Sequence, residues 1–202
     1  MNQGFVEWGV AGKQMQGETL SGDLHLVKQR ENKVLIAVAD GLGHGKAAYE
    51  AATLALSTVD EHSGEALVRI LEHCSRRLRD TRGVVMSVAL LDGVEDSMEW
   101  LGVGNVAGLL VRFGADGNRL HEFLLLSQGV VGIHFPALRA TAVKVAPGDT
   151  IVLATDGIRR GFEDGMVLFD RAEKTAQAIL SRDGLETDDA LVVVATYQGR
   201  PR

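Results

Sequence analysis

The sequence predicts an α+β protein of packed layers, and three observations carry that expectation. Its β-type runs are joined mostly by tight turns, as antiparallel pairing allows. Its helical stretches come in blocks instead of alternating with strands, which argues against a doubly wound fold. Apolar residues make up 46% of the 202 positions, and folding at this length buries about 70% of the extended chain's surface. A substantial core is therefore available.

Residues 5–11 read as a first strand, followed by a polar, glycine-punctuated loop over 12–22. Residues 25–29 and 34–39 are short β-type runs, and Arg30, Glu31, Asn32 and Lys33 between them predict a hairpin. Two helices come next. Residues 46–60 carry Ala48, Ala51, Ala52 and Ala55 as a small-residue face for close packing. Residues 64–80 set Leu67, Ile70, Leu71, Cys74 and Leu78 on one amphipathic stripe. Ser63 is the expected N-cap, and Arg76, Arg77 and Arg79 stand near the C-terminal end, where the helix dipole favours cations. Four β-type runs follow at 84–91, 98–103, 107–113 and 120–126, with one turn at Gly114, Ala115, Asp116, Gly117 and Asn118. Residues 141–145 and 150–154, around Pro147, Gly148 and Asp149, predict a further hairpin. Residues 171–180 read as a helix, and 190–196 as a nearly all-apolar last strand.

No stretch has the composition of a linker and no repeat is visible, so residues 1–202 are expected to form one domain. A net charge of −6 and a pI near 5.5 argue against a nucleic-acid partner. One cysteine, Cys74, excludes an intramolecular disulfide and a cysteine-built metal site, and fits a reducing cytosol. The polar start Met1, Asn2, Gln3, Gly4 and the early Glu7 lack a signal-peptide pattern. The longest apolar runs, 34–39 and 84–91, fall far short of the roughly 20 residues a membrane span needs. A cytoplasmic protein without a membrane partner is expected. With no obvious apolar stripe left over, so is a monomer.

The chemistry lies where strands run into aspartate and glycine: Ser21-Gly22-Asp23, Ala39-Asp40-Gly41, Thr155-Asp156-Gly157 and Asp188-Asp189. Any one Asp-Gly pair reads equally as a turn former. Four such acids beside apolar strands read differently, because carboxylates that meet repel one another and raise their own pKa values unless cations intervene. Hard oxygen ligands select Mg²⁺ or Mn²⁺ over zinc, and two such ions would balance four carboxylates.

The ordered strings SGD (21–23), ADGLGHG (39–45), GVGN (102–105), LATDGI (153–158) and TDDALVVVA (187–195) resemble the metal-dependent PPM/PP2C-type serine/threonine phosphatases. The likeness is to the bacterial branch of the SpoIIE, RsbU and RsbX phosphatases, and it runs from residue 21 to 195. The resemblance implies a PP2C-like αββα sandwich, two mostly antiparallel sheets flanked by helices, with a binuclear Mn²⁺ or Mg²⁺ site. Carried over by motif, Asp40 bridges both ions and the Gly41 carbonyl binds the second. Asp23 holds that second ion directly or through water, while Asp156 and Asp188 hold the first. Asp189 then orients the loop, with the reverse assignment of Asp188 and Asp189 left open. Gly104 and Asn105 are implied to keep a strand end close to the site. The implied reaction is in-line hydrolysis of phosphoserine or phosphothreonine by a metal-activated water. A bare catalytic domain resembles the RsbX-type stressosome phosphatases, whose implied partners are phosphorylated STAS-domain proteins. The alternatives are an RsbU-like phosphatase of an anti-anti-sigma factor and a non-catalytic phosphoprotein-binding module of the same fold.

The sequence departs from the eukaryotic pattern in two places. Leu42 stands where those members carry a histidine, so His44, three residues past Gly41, is the candidate catalytic histidine. No arginine occurs over 14–22, which leaves phosphate binding to the metals, with help from Lys13 or His44. Cys74 reads as core, since it lies on an apolar stripe without a nearby histidine. The six histidines show no metal-binding spacing, and the glycines over 41–47 and 102–108 fail the phosphate-loop and dinucleotide patterns. The arginines over 76–82 read as a solvated helix end that a phosphoprotein partner could also use.

Overall fold

A computed structural model of the chain describes residues 4–114 and 118–200. Met1, Asn2 and Gln3 of the expected polar start, and Ala115, Asp116 and Gly117 of the expected turn, lie outside the described residues. That turn's ends do meet: the Gly114 N–H donates to the Asn118 carbonyl at 2.8 Å.

Two sheets stack face to face with helices outside them. One sheet has the order β1-β11-β10-β6-β7, from β1 (Val6–Lys13), β11 (Ala190–Tyr197), β10 (Thr150–Ala154), β6 (Ala107–Phe113) and β7 (Arg119–Phe123). The other has the order β2-β3-β4-β5-β8, from β2 (Asp23–Arg30), β3 (Lys33–Gly41), β4 (Val84–Asp92), β5 (Ser97–Val103) and β8 (Leu126–Ser127), while β9 (Thr141–Lys144) pairs with β5. Every pairing is antiparallel except the two-residue contact of β5 with β8. Helices α1 (Lys46–Glu61) and α2 (Leu67–Arg77) cover the second sheet, and α3 (Ala172–Asp183) covers the first. This is the αββα sandwich the motifs implied.

The all-apolar strands follow from being covered on both sides. On β3, Val34, Ile36 and Val38 enter the core between the sheets, while Leu35, Ala37 and Ala39 face the helices. On β11, Leu191, Val193 and Ala195 face the other sheet, and Ala190, Val192 and Val194 face α3. The helix stripe Leu67, Ile70, Leu71, Cys74 and Leu78 is fully buried, and each such aliphatic side chain contributes about 1.5–3 kcal/mol. Cys74 packs as core: its thiol donates to the Ala55 carbonyl at 3.6 Å, and burial pushes its pKa up to about 12.

Three local expectations are corrected. Helix α2 starts at Leu67 with Ala66 as N-cap; Ser63 instead donates to the Asp60 carbonyl at the end of α1, so it closes one helix and does not open the next. The run 120–126 breaks at Leu124, whose N–H donates to Gly108 and whose side chain turns inward, and the chain then crosses from β7 in one sheet to β8 in the other. Residues 141–145 and 150–154 do not pair as a hairpin. β9 lies on β5 and β10 between β6 and β11, so the turn at Pro147–Asp149 bridges the sheets. There the Asp149 carboxylate accepts the Ala146 N–H at 3.0 Å. Among the described residues, no helix is long and apolar enough to cross a membrane.

Candidate functional site

The β2–β3 ladder sets Asp23 directly opposite Asp40 at its end, an arrangement that like charges disfavour unless something separates them. From the other sheet, β10 ends two residues before Asp156, and β11 begins two residues after Asp188. The glycines of the two Asp-Gly pairs are there for close approach. A Cβ on Gly41 would stand 2.1 Å from the Ala48 carbonyl oxygen of α1, and one on Gly157 would stand 1.8 Å from that of Asp189.

Asp40, Asp156, Asp188, Asn105 and His44 line one cavity of about 270 Å³, and Asp23 opens onto the adjoining hollow beside Lys13 and Gln14. Burial pushes Asp40 up to about 8, and Asp23, Asp156, Asp188 and Asp189 push the same way. Burial likewise raises Asp23 to about 7; the Thr155 hydroxyl pulls against it, and the neighbouring acids add to it. Asp188 is raised by burial first and by Asp156 next. One carboxylate oxygen of Asp23 is buried with no hydrogen-bond partner among the described residues. Carboxylates that raise one another, an orphaned buried oxygen and a hard-oxygen donor set suit Mg²⁺ or Mn²⁺.

The two adjacent acids have different surroundings. Asp189 is buried, and its two oxygens accept the Met15 N–H at 2.8 Å and the Gly22 N–H at 2.7 Å. Its carboxylate thereby ties the start of β11 to the loop that leads into β2. Asp188 is half-buried; one oxygen accepts the Asp189 N–H at 2.9 Å, and the side chain lines the cavity. Asn105 donates to Asp156 at 2.8 Å, and Gly104 donates its N–H to Ser127. His44 is exposed, with Nδ1 2.6 Å from a Glu18 oxygen. Lys13 is engaged elsewhere, on Glu186 at 2.7 Å.

Sequence reasoning missed Glu18 on His44, Asn105 on Asp156 and Thr155 beside Asp23. The first two are loop partners far apart in the chain, and no local spacing marks them. It also missed His62, Glu65 and His73, whose nitrogen and oxygen atoms lie within 4.8 Å of one another. Their imidazoles stack at 3.7 Å, and both meet Glu65. Because Arg76 donates to Nδ1 of His73, these groups already satisfy one another. Another cavity, of about 750 Å³, is lined by Asn105 and Asp156 together with Phe123, Arg159, Arg160 and Phe162.

Phosphoserine phosphatase RsbX of Bacillus subtilis (strain 168) is 28% identical over 95 residues, or 47% of this chain and 48% of that protein. The aligned part thus spans about half the length of that curated relative. Among solved structures, a chain from work on the bacterial stressosome, a modular system adapted to control secondary messenger signalling, matches with a TM-score of 0.83. It is 29% identical and covers 94% of this chain and 98% of that chain. RsbX in complex with magnesium also matches at 0.83, with 20% identity over 95% of this chain and 94% of that chain. The PP2C phosphatase domain of SpoIIE from Bacillus subtilis matches at 0.79, with 19% identity over 96% of this chain and 63% of that chain. These backbones share the αββα sandwich. The stage II sporulation protein E (SpoIIE) family matches residues 30–197, which include Asp40, Asp156, Asp188 and Asp189 but not Asp23, so the chain belongs to that family.

Proposed function

We propose that the chain is a metal-dependent phosphoprotein phosphatase that removes phosphate from phosphoserine or phosphothreonine on a STAS-domain stress regulator. The observation that carries this reading is the convergence of Asp23, Asp40, Asp156 and Asp188 from two sheets, with raised pKa values and a buried oxygen left without a partner. Asp23, Asp40, the Gly41 carbonyl, Asp156 and Asp188 would hold two Mn²⁺ or Mg²⁺ ions. Bound there, the ions supply a water acidified toward neutral pH and neutralise charge on the phosphoryl group.

The remaining work belongs to the chain's own groups. Asp189 holds the backbone at Met15 and Gly22, which fixes the loop beside Asp23. Asn105 orients Asp156. Glu18 holds Nδ1 of His44, and the imidazole on the cavity wall would be the group that hands a proton to the departing serine or threonine oxygen. Asp189 supports Asp188 as the ligand of the pair, since both oxygens of Asp189 are already taken by backbone N–H groups. The likeness to RsbX, a phosphoserine phosphatase, and to a stressosome structure supports a partner in stress signalling.

The test is hydrolysis of p-nitrophenyl phosphate with and without Mn²⁺, for wild type beside Asp40→Asn. Turnover that needs both the metal and Asp40 is expected. Wild type that binds Mn²⁺ yet hydrolyses neither this ester nor a phosphorylated STAS domain would instead be a binding module.

A further inference from the structure

We propose that Arg82 binds the phosphoryl group of the substrate, supplying the cation that the loop over 14–22 lacks. The inference rests on the phosphatase reading above and adds a residue to it. Two divalent ions would only balance the four carboxylates and leave no surplus positive charge for a phosphate dianion, so a protein cation at the rim adds to phosphate binding. Of the basic groups near the acids, Lys13 is held by Glu186 and the Gly184 carbonyl, and His44 is held by Glu18. Within the arginine-rich stretch, Arg76 is spent on His73 and Arg77 on Glu61. Arg82 has no acidic partner among the described residues.

Its position is set by the sheet. The β3–β4 ladder pairs Gly41 with Val84, so the residues just before β4 stand beside those just after β3, at the edge where Asp40 lies. The Leu42 N–H donates to the Gly83 carbonyl at 3.2 Å, and Val84 exchanges two hydrogen bonds with Val131. The backbone at Gly83 and Val84 is thus pinned from both sides, while the adjacent Arg82 is exposed. The guanidinium lies over Gly43: a Cβ at that position would stand 2.6 Å from Nη1. Gly43 has φ of +90° and, with Asp40, His44 and Asp188, lines the cavity. A side chain at 43 would be strained and would displace the arginine, so the glycine lets a planar, five-donor cation reach the rim. Arg159 and Arg160 line the other cavity, beyond Asp156.

The experiment titrates inorganic phosphate into Mg²⁺-loaded protein by calorimetry and measures p-nitrophenyl phosphate kinetics. It compares wild type, Arg82→Ala, Arg82→Lys, Arg79→Ala and Arg159→Ala. Arg82→Ala is expected to weaken phosphate binding and raise KM by about tenfold or more, the loss of a hydrogen bond between charged groups. Mg²⁺ affinity and melting temperature should stay at wild-type values. Arg82→Lys should recover part of the loss, and Arg79→Ala should behave as wild type. Wild-type phosphate affinity in Arg82→Ala would overturn the assignment, as would an effect confined to Arg159→Ala. A parallel fall in Mg²⁺ affinity and melting temperature would overturn it too, since Arg82 would then only brace the loop. The phosphate titration reads Arg82 whether or not the ester turns over, so failure of the phosphatase reading shows separately, as an inactive wild type.

Discussion

Asp188 and Asp189 are the same residue type at adjacent positions, and their surroundings give them different work. Removing the Asp189 carboxylate orphans the part-buried Met15 N–H and the buried Gly22 N–H, and a buried donor left unpaired costs about 1–3 kcal/mol. Asp189→Ala is therefore expected to lower the urea midpoint of the metal-free protein. Asp188→Asn should leave that midpoint unchanged or higher and weaken Mn²⁺ binding in calorimetry; the reverse pattern would exchange their roles. Asp40 adds a pH dependence. Its carboxyl titrates near 8 in the folded metal-free protein, against an ordinary value of 3.8. Folding therefore takes up a proton between those values, and Asp40's contribution to stability, full below pH 3.8, fades as pH rises through 8. Asp40→Asn should flatten that slope in metal-free unfolding curves and abolish turnover. The motif acids were legible in the sequence, because carboxylates at strand ends are poorly explained by packing. Which of the Asp188-Asp189 pair turns toward the cavity was not, since that depends on donors from residues 15 and 22.

Among the elements, α3 shows how a sequence signal can be read for one thing and serve another. In the sequence Glu7 counted only as an early charge against a signal peptide; its carboxylate accepts the Ala172 N–H at 2.9 Å and so serves the helix start that Arg171 leaves without a side-chain cap. Glu7→Ala is expected to cost about 1 kcal/mol, as a lost helix cap does, read from thermal unfolding. The all-apolar strands β3 and β11 and the stripe of α2 were legible because both faces of each sheet are covered. The break between β7 and β8, and the assignment of β9 to the second sheet, were not. A β-type run shows its period and not its partner, and here the partner changes partway along the run.

At the scale of the whole molecule, the acids close only when the two sheets stack. A cation that binds this folded arrangement and not the open chain must stabilise it by mass action. Millimolar Mn²⁺ is expected to raise the melting temperature of wild type, and less so that of Asp40→Asn; no shift in wild type would remove the metal site. Cys74, with its thiol buried and its pKa near 12, should resist a thiol reagent at pH 8 until the protein unfolds. The sequence by itself determined the layers, the apolar faces and four strand-end acids, since alternation, helical stripes and Asp-Gly pairs are local properties of a chain. Only the tertiary structure decided that Asp23 faces Asp40, that Asp189 clamps two loops, that Glu18 holds His44, and that Arg82 lies over Gly43. Those pairings join residues from separate elements: Asp23 with Asp40 and Arg82 with Gly43 depend on strand register within one sheet, whereas the Asp189 clamp exists only once the two sheets have stacked and brought their strand ends to one edge.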